Sequence, residues 1–238
     1  MGYPAELYEA IRARTADAPE TIEIGPGTGL ATCELLAELQ PARVVAVEAD
    51  PALAAHLREA IDDARLQVVA EPFGSAAIDG RFDLGCAAAS FHWIEPDIAF
   101  ERLRALLRPG ATLALWWNVY RQAGVGDAFA DAVTPLLAEI DLPPSEGALG
   151  HYSLDVDLHR TAMTGAGFVD FTARLLRRER TLESAGVRAL YSSYSYVRAL
   201  PDREREVLLD RIVLLAETAF GGTVPNIVLT PLYLATAP

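Results

Sequence analysis

The hydrophobic pattern of the chain alternates short apolar runs with amphipathic stretches, as strands alternate with helices in α/β proteins. Apolar runs lie at 21–24, 43–48, 66–71, 81–90 and 111–118. The run at 81–90 is almost continuous, which is typical of a central parallel strand buried on both faces. Between the runs, apolar residues recur at helical spacing. The pattern predicts a doubly wound, mostly parallel α/β sheet with helices on both faces.

The second half of the chain is predicted to complete the sheet. Helices are expected near 127–140, 154–166, 182–199 and 202–220, with a break at Pro143-Pro144, and strands from 167 towards 181 and at 226–235. The last strand would form a hairpin with the one before it, so a seven-stranded sheet would carry one antiparallel edge strand. We therefore predict one domain over 1–238, with a helical insertion after the fifth strand at about 120–167.

The first predicted strand runs into glycines at alternate positions, Gly25, Gly27 and Gly29, and then into a helix. Glycine adopts backbone conformations closed to other residues and lets a ligand lie against bare backbone. The dinucleotide fingerprint needs its third glycine at position 30, where this chain has Leu30, and no Lys-Ser or Lys-Thr pair follows as in a P-loop. The loop therefore predicts a large flat cofactor other than NAD or FAD.

Two acids accompany the glycine loop. Glu23 stands where a carboxylate can reach the amino group of a bound amino-acid moiety, and Glu48 ends the second strand, from which a carboxylate takes ribose hydroxyls. Together these residues resemble the class I S-adenosylmethionine-dependent methyltransferases of the small-molecule type. That family has an acid, a hydrophobic residue and Gly-x-Gly-x-Gly as its first motif, and an acid at the end of its second strand.

The resemblance implies S-adenosylmethionine as the cofactor, and it implies further contacts from later strands. Glu71, with Phe73 close behind, lies where the family holds the adenine ring, although a solvated loop acid before a proline explains Glu71 equally well. Ser90, at the end of the fourth strand, is a further predicted cofactor contact. In the family an additional N-terminal segment usually helps to cover the cofactor; this chain begins without it, so we expect another lid or a more open site.

The tripeptide Phe91-His92-Trp93 after the fourth strand resembles the sequence that small-molecule methyltransferases have at this place. The carboxyl ends of parallel strands form the ligand crevice of an open α/β sheet. His92 is therefore predicted as a general base for a hydroxyl or carboxyl acceptor. The alternative is that His92 only bonds to a neighbouring loop.

The acceptor is expected to contact aromatic residues near the strand ends and in the helical insertion. Successive strand side chains point to opposite faces, so only one of Trp116 and Trp117 can face the crevice. Tyr191, Tyr194 and Arg198 recur at helical spacing and would share one helix face. The predicted acceptor contacts are Trp93, Trp117, Asn118, Tyr191 and Tyr194, with His151 as a further candidate. Packing at the domain margin is the alternative for the tyrosines.

The charge and composition of the chain limit which partners it is expected to bind. The net charge of −13 repels phosphodiester backbones, and Arg177-Arg178-Glu179-Arg180 is the one basic cluster, so nucleic acid is not expected. No apolar run approaches the ~20 residues of a membrane span. Cys33 and Cys86 fall in a predicted helix and a predicted strand, which favours reduced thiols over a disulfide or a metal site. A cytoplasmic enzyme without metal is predicted.

The sequence thus predicts methyl transfer from S-adenosylmethionine to a small-molecule acceptor through oxygen, nitrogen or carbon. Two alternatives stay open. A protein that binds S-adenosylmethionine without methylating would keep the same glycines and Glu48, and a nicotinamide-dependent oxidoreductase would need the displaced glycine. The oligomeric state is open as well, and a homodimer is one outcome that the sequence allows.

Overall fold

A computed structural model describes residues 2–120, 126–140 and 151–238. The chain divides into two compact units. The sheet unit comprises Met1–Asn118, Asp155–Leu176 and Thr230–Pro238, and the helical unit comprises Val119–Leu154 and Arg177–Leu229. The helical unit begins close to the predicted start of the insertion at about 120, but its first segment ends at Leu154 rather than at 167, and it has a second segment, Arg177–Leu229. Pro143-Pro144 lies outside the described residues.

The sheet unit is built on five parallel strands, β1 (Glu20–Ile24), β2 (Arg43–Val47), β3 (Leu66–Val69), β4 (Phe82–Ala88) and β5 (Leu107–Trp116). They lie in the order β3-β2-β1-β4-β5, which places β1, the first strand of the chain, at the centre of these five. The last strand, β8 (Thr223–Thr236), runs antiparallel to β5, with Thr112 opposite Thr236 and Trp116 opposite Leu232. The predicted α/β fold with an antiparallel strand is confirmed.

The helices of the sheet unit are α1 (Ala5–Arg12), α2 (Leu30–Glu38), α3 (Pro51–Ala60), α4 (Pro96–Leu106) and α6 (Val156–Gly165). One face of the sheet packs on α1 and α2 through a core that includes Leu7, Leu35, Cys86 and Trp116. On the other face, α4 lies so close to β4 that a Cβ at Gly85 would stand 3.0 Å from Leu103 Cδ2. Successive residues of β4 thus contact helices on opposite faces of the sheet.

Local sequence signals explain where these helices begin. Asp50 accepts hydrogen bonds from the N–H groups of Ala52 at 2.7 Å and Leu53 at 3.3 Å, and Pro51 occupies the first helical position of α3. The helix ends at Ala60.

The helical unit contains α5 (Ala128–Leu137), α7 (Ser184–Ser193), α8 (Ser195–Arg198) and α9 (Asp202–Phe220) around a core that includes Phe129, Val187 and Ile212. A two-residue strand, β6 (Val119–Tyr120), pairs with the first part of β8 and was not predicted, so the described residues hold eight strands. The remaining strand, β7 (Val169–Glu183), pairs with β8 as the predicted hairpin requires.

Two predictions about this part of the chain need correction. The helix predicted at 182–199 is interrupted because Tyr194 has extended backbone angles, φ −68° and ψ 135°, between α7 and α8. Its ring packs 5.4 Å from Tyr191 and 5.3 Å from Tyr196, so aromatic packing replaces the helical turn. The segment 155–176 belongs to the sheet unit because Met163 and Phe168 are buried there, with Phe168 6.0 Å from Phe100.

Within residues 2–120, 126–140 and 151–238, the helices are all too short or too polar to cross a membrane.

Candidate functional site

The three glycines after β1 have positive φ angles, of 62° at Gly25, 59° at Gly27 and 85° at Gly29, and they serve two different purposes. A Cβ at Gly25 would stand 2.5 Å from Ser90 Cβ, and one at Gly29 would stand 2.5 Å from Leu57 Cδ1. Gly25 and Gly29 therefore allow close packing. A Cβ at Gly27 would meet no atom within 4 Å, so Gly27 presents bare backbone to open space.

That open space is part of a cavity of about 730 Å³ at the carboxyl ends of β1, β2 and β4, within the sheet unit. Its volume lies within the range of ~300–1,000 Å³ that is usual for small-molecule sites. Six of the sequence-predicted site residues line it: Gly25, Gly27, Glu48, Phe73, Ser90 and Trp93.

Glu48 is held rigidly at the cavity wall. Its side chain accepts hydrogen bonds from the backbone N–H of Gly27 at 2.9 Å and of Asp50 at 3.0 Å, one on each carboxylate oxygen. Each oxygen retains capacity for a further hydrogen bond, because a carboxylate offers about four acceptor positions. Glu48 thus ties the glycine loop to the end of β2 and can still accept hydroxyl donors from a ligand.

Glu23 lies in a different environment from the one that the sequence predicted. It has no exposed surface, and its Oε2 accepts a hydrogen bond from the Thr32 hydroxyl at 2.7 Å, while Oε1 has no hydrogen-bond partner among the residues that the structure describes. Burial raises the pKa of Glu23 to about 7, against the lowering effect of Thr32. The residue is not part of the cavity lining, so the structure separates it from Gly25, Gly27 and Glu48, which line the cavity.

The cofactor contacts predicted after the third and fourth strands do not all line the cavity. Phe73 is buried at the cavity and stacks under the Arg102 guanidinium at 5.5 Å, whereas Glu71 lies outside the lining and accepts from the Ala77 N–H at 3.1 Å. The Ser90 hydroxyl donates to the Ile24 carbonyl, which joins the ends of β4 and β1 beside Gly25.

The tripeptide after β4 forms a short 3₁₀ helix, Phe91–Trp93. Trp93 lines the cavity and is 82% exposed, whereas His92 lies outside the lining. The Trp117 indole donates to His92 Nδ1 at 3.4 Å. A neutral imidazole that accepts at Nδ1 carries its proton on Nε2, so this contact favours the second nitrogen as a donor.

The other predicted acceptor contacts do not line this cavity. Trp117 is buried against His159 and Tyr233, and Asn118 accepts from the Thr230 hydroxyl at 2.7 Å. Trp116 packs on the opposite face against Tyr3 and Tyr8, as strand alternation requires. Tyr191, Tyr194, His151 and Arg198 belong to the helical unit, where Tyr191 packs on Phe129.

Several lining residues were not predicted. Tyr3 comes from the segment before α1, and its position depends on a hydrogen bond to Glu34, 31 residues away, which no local pattern announces. Asp50 and Glu95 are helix-start residues that also face the cavity. Glu48, Asp50 and Glu95 are the charged members of the described lining, which includes no Lys or Arg. The cavity therefore favours cationic over anionic ligands.

Known proteins to which this chain is similar include methyltransferases. Residues 22–113 match a family profile described as a methyltransferase domain. Over 220 residues the chain is 24% identical to an uncharacterized methyltransferase of Schizosaccharomyces pombe, an alignment that covers 89% of this chain and 81% of that protein.

Solved structures share the fold. A proposed type II methyltransferase from Anaeromyxobacter dehalogenans superposes with a TM-score of 0.69 at 24% identity, covering 99% of this chain and 96% of that one. Phosphoethanolamine N-methyltransferase 2 of Haemonchus contortus, solved in complex with S-adenosyl-L-methionine, gives a TM-score of 0.56 at 14% identity and covers 98% of this chain and 52% of that one. At these identities the structural likeness shows the fold alone.

Proposed function

We propose that the chain is a class I S-adenosylmethionine-dependent methyltransferase and that it methylates a small-molecule acceptor. One observation carries the proposal: the bare backbone of Gly27 and the fixed carboxylate of Glu48 line the same cavity and are joined by a hydrogen bond of 2.9 Å. The loop and the acid that the sequence pattern separates by 21 residues thus form one site.

The residues at this cavity fit the cofactor. Gly27 leaves room where any side chain would project, Glu48 offers acceptors for ribose hydroxyls, and Phe73 offers an apolar surface for a base. When bound, S-adenosylmethionine supplies an electrophilic methyl group on a sulfonium. The chain then has mainly to align the acceptor and exclude water, and alignment of this kind can be worth ~7–11 kcal/mol.

We place the acceptor beside Trp93, because its exposed ring is part of the cavity wall. The acidic lining is more compatible with a neutral or cationic acceptor, such as an alcohol or an amine, than with a phosphate. Tyr191 and Tyr194 remain predicted specificity residues of the helical unit. The cytoplasmic location and the homodimer likewise stay predictions from the sequence.

Isothermal titration tests the cofactor assignment. We expect S-adenosylmethionine and S-adenosylhomocysteine to bind at one site per chain and NADH not to bind. Glu48→Ala should weaken S-adenosylmethionine binding by about 1–3 kcal/mol because the ribose hydroxyls lose a charged hydrogen-bond acceptor in the bound state. The matched control is Glu59→Ala, an exposed acid on α3. Saturable NADH binding without a signal from S-adenosylmethionine would overturn the proposal.

Release of S-adenosylhomocysteine in the presence of acceptor panels then tests transfer. Turnover with an alcohol or amine panel, and none with phosphorylated acceptors, is the expected result. Binding of S-adenosylmethionine without turnover on any panel would favour a protein that binds the cofactor without methylating.

A further inference from the structure

A carboxylate on α2 ties down the segment before α1. Glu34 accepts hydrogen bonds from the backbone N–H of Tyr3, at 3.2 Å to Oε1 and 3.0 Å to Oε2, and from the Tyr8 hydroxyl at 2.8 Å. Tyr8 is 1% exposed, and burial together with the Glu34 hydrogen bond raises its pKa, so the hydroxyl stays a donor. The Glu34 side chain therefore joins α2 to Tyr3, before α1, and to Tyr8, within α1.

The surroundings of Glu34 are fitted to this contact. A Cβ at Gly2 would stand 1.7 Å from Glu34 Oε1, so a larger residue at position 2 would displace the carboxylate. The Tyr3 ring meets the Trp116 ring edge-on, with centroids 5.8 Å apart. The segment 2–4 is thus fixed on one side by a carboxylate and on the other by a buried indole.

Tyr3 lines the cavity that also contains Gly27 and Glu48, and it is joined there by Leu30 and Ala31 from the first turn of α2. Glu34 lies one helical turn further along α2 and is not part of the lining. Any effect of Glu34 on a ligand in the cavity must therefore pass through the residues that it holds.

We propose that Glu34 is a positioning residue that holds Tyr3 against the bound cofactor. The inference rests on the proposed function, since it assigns this wall of the cavity to S-adenosylmethionine. Tyr3 would close the cavity on the side of α2, and Glu34 would reduce the freedom of the segment before the ligand arrives. Preorganisation of this kind lowers the entropic cost of binding and slows dissociation.

The test compares variants by the rate of S-adenosylmethionine dissociation and by its Kd. Glu34→Ala should weaken binding about tenfold, the effect of losing roughly one hydrogen bond to a charged group, mainly through faster dissociation. Glu38→Ala removes an exposed acid one turn further along α2 and should change neither value. Gly2→Ala should reproduce the loss through steric displacement, and Glu34→Gln should recover part of it.

A double-mutant cycle separates positioning from a purely structural role. With Tyr3→Ala as background, Glu34→Ala should have little further effect on Kd, because the residue through which it acts is gone. Additive losses, or a lower melting temperature with an unchanged Kd in both Glu34→Ala and Gly2→Ala, would overturn the inference. A wild-type chain that binds no S-adenosylmethionine would instead refute the proposed function.

Discussion

At the scale of single residues, the ionisation of Glu23 is coupled to the stability of the fold. The side chain is fully buried, and burial raises its pKa from 4.5 to about 7. The folded state therefore holds the proton more tightly than the unfolded state. The stability that the proton contributes is complete below pH 4.5 and is lost as the pH rises through 7.

We expect Glu23→Gln to gain stability over the wild type as the pH rises. Glutamine is uncharged at every pH, so the difference in unfolding free energy should move by about 3 kcal/mol in its favour between pH 4.5 and 8. Urea unfolding across this range measures the change. Glu38→Gln, at an exposed position on the following helix, should show no such trend. A difference that does not depend on pH would contradict the assignment of Glu23 as a buried acid.

His92 can be tested as a base or as a hydrogen-bond donor. Because Trp117 donates to Nδ1 at 3.4 Å, a neutral imidazole would carry its proton on Nε2, and a glutamine amide can replace such a donor but cannot act as a base. We expect His92→Gln to retain most of the turnover, His92→Ala to lose it, and both to bind S-adenosylmethionine as the wild type does. A loss of about 10²-fold or more in both variants would identify His92 as the general base.

At the scale of elements, Asp127 fixes the beginning of α5 in the helical unit. The side chain is 3% exposed; Oδ1 accepts from the Ala130 N–H at 2.9 Å and Oδ2 from the Ile227 N–H at 3.0 Å. Asp127→Ala would remove a helix cap and leave a buried strand N–H unpaired, for a loss of about 2–4 kcal/mol. The unfolding midpoint measures this loss. Asp131→Ala, an exposed acid in the first turn, should cost much less, and equal losses would contradict the role of Asp127.

The helices and strands also differ in how well the sequence predicts them. The glycine loop and the strand that leads to Glu48 are set by local preferences, and the structure contains both as expected. The helix start at Asp50-Pro51 is set by local preferences as well. The break at Tyr194 and the burial of Glu23 depend on packing against residues far along the chain, which periodicity does not report. Local rules therefore found the loop, whereas long-range contacts decide which predicted residues face the cavity.

At the scale of the whole molecule, charge sets which ligands approach the cavity. The chain carries a net charge of −13, and Glu48, Asp50 and Glu95 are the charged residues of the described cavity lining. S-adenosylmethionine has a sulfonium that S-adenosylhomocysteine lacks, so the acidic field should favour the donor over the product of the reaction. That preference would assist product release.

Salt dependence tests this electrostatic preference. Between about 0.02 M and about 0.5 M NaCl, where the Debye length falls below the cavity dimensions, S-adenosylmethionine should lose roughly threefold to tenfold in affinity and S-adenosylhomocysteine much less. Glu95→Gln is the informative variant, because Glu95 makes no side-chain cap to α4 and its charge can be removed without loosening the helix. It should reduce the salt dependence for S-adenosylmethionine alone. Equal salt dependence for the two ligands would mean that the lining acids do not act on the sulfonium, and that the preference for the donor arises from contacts rather than from the field.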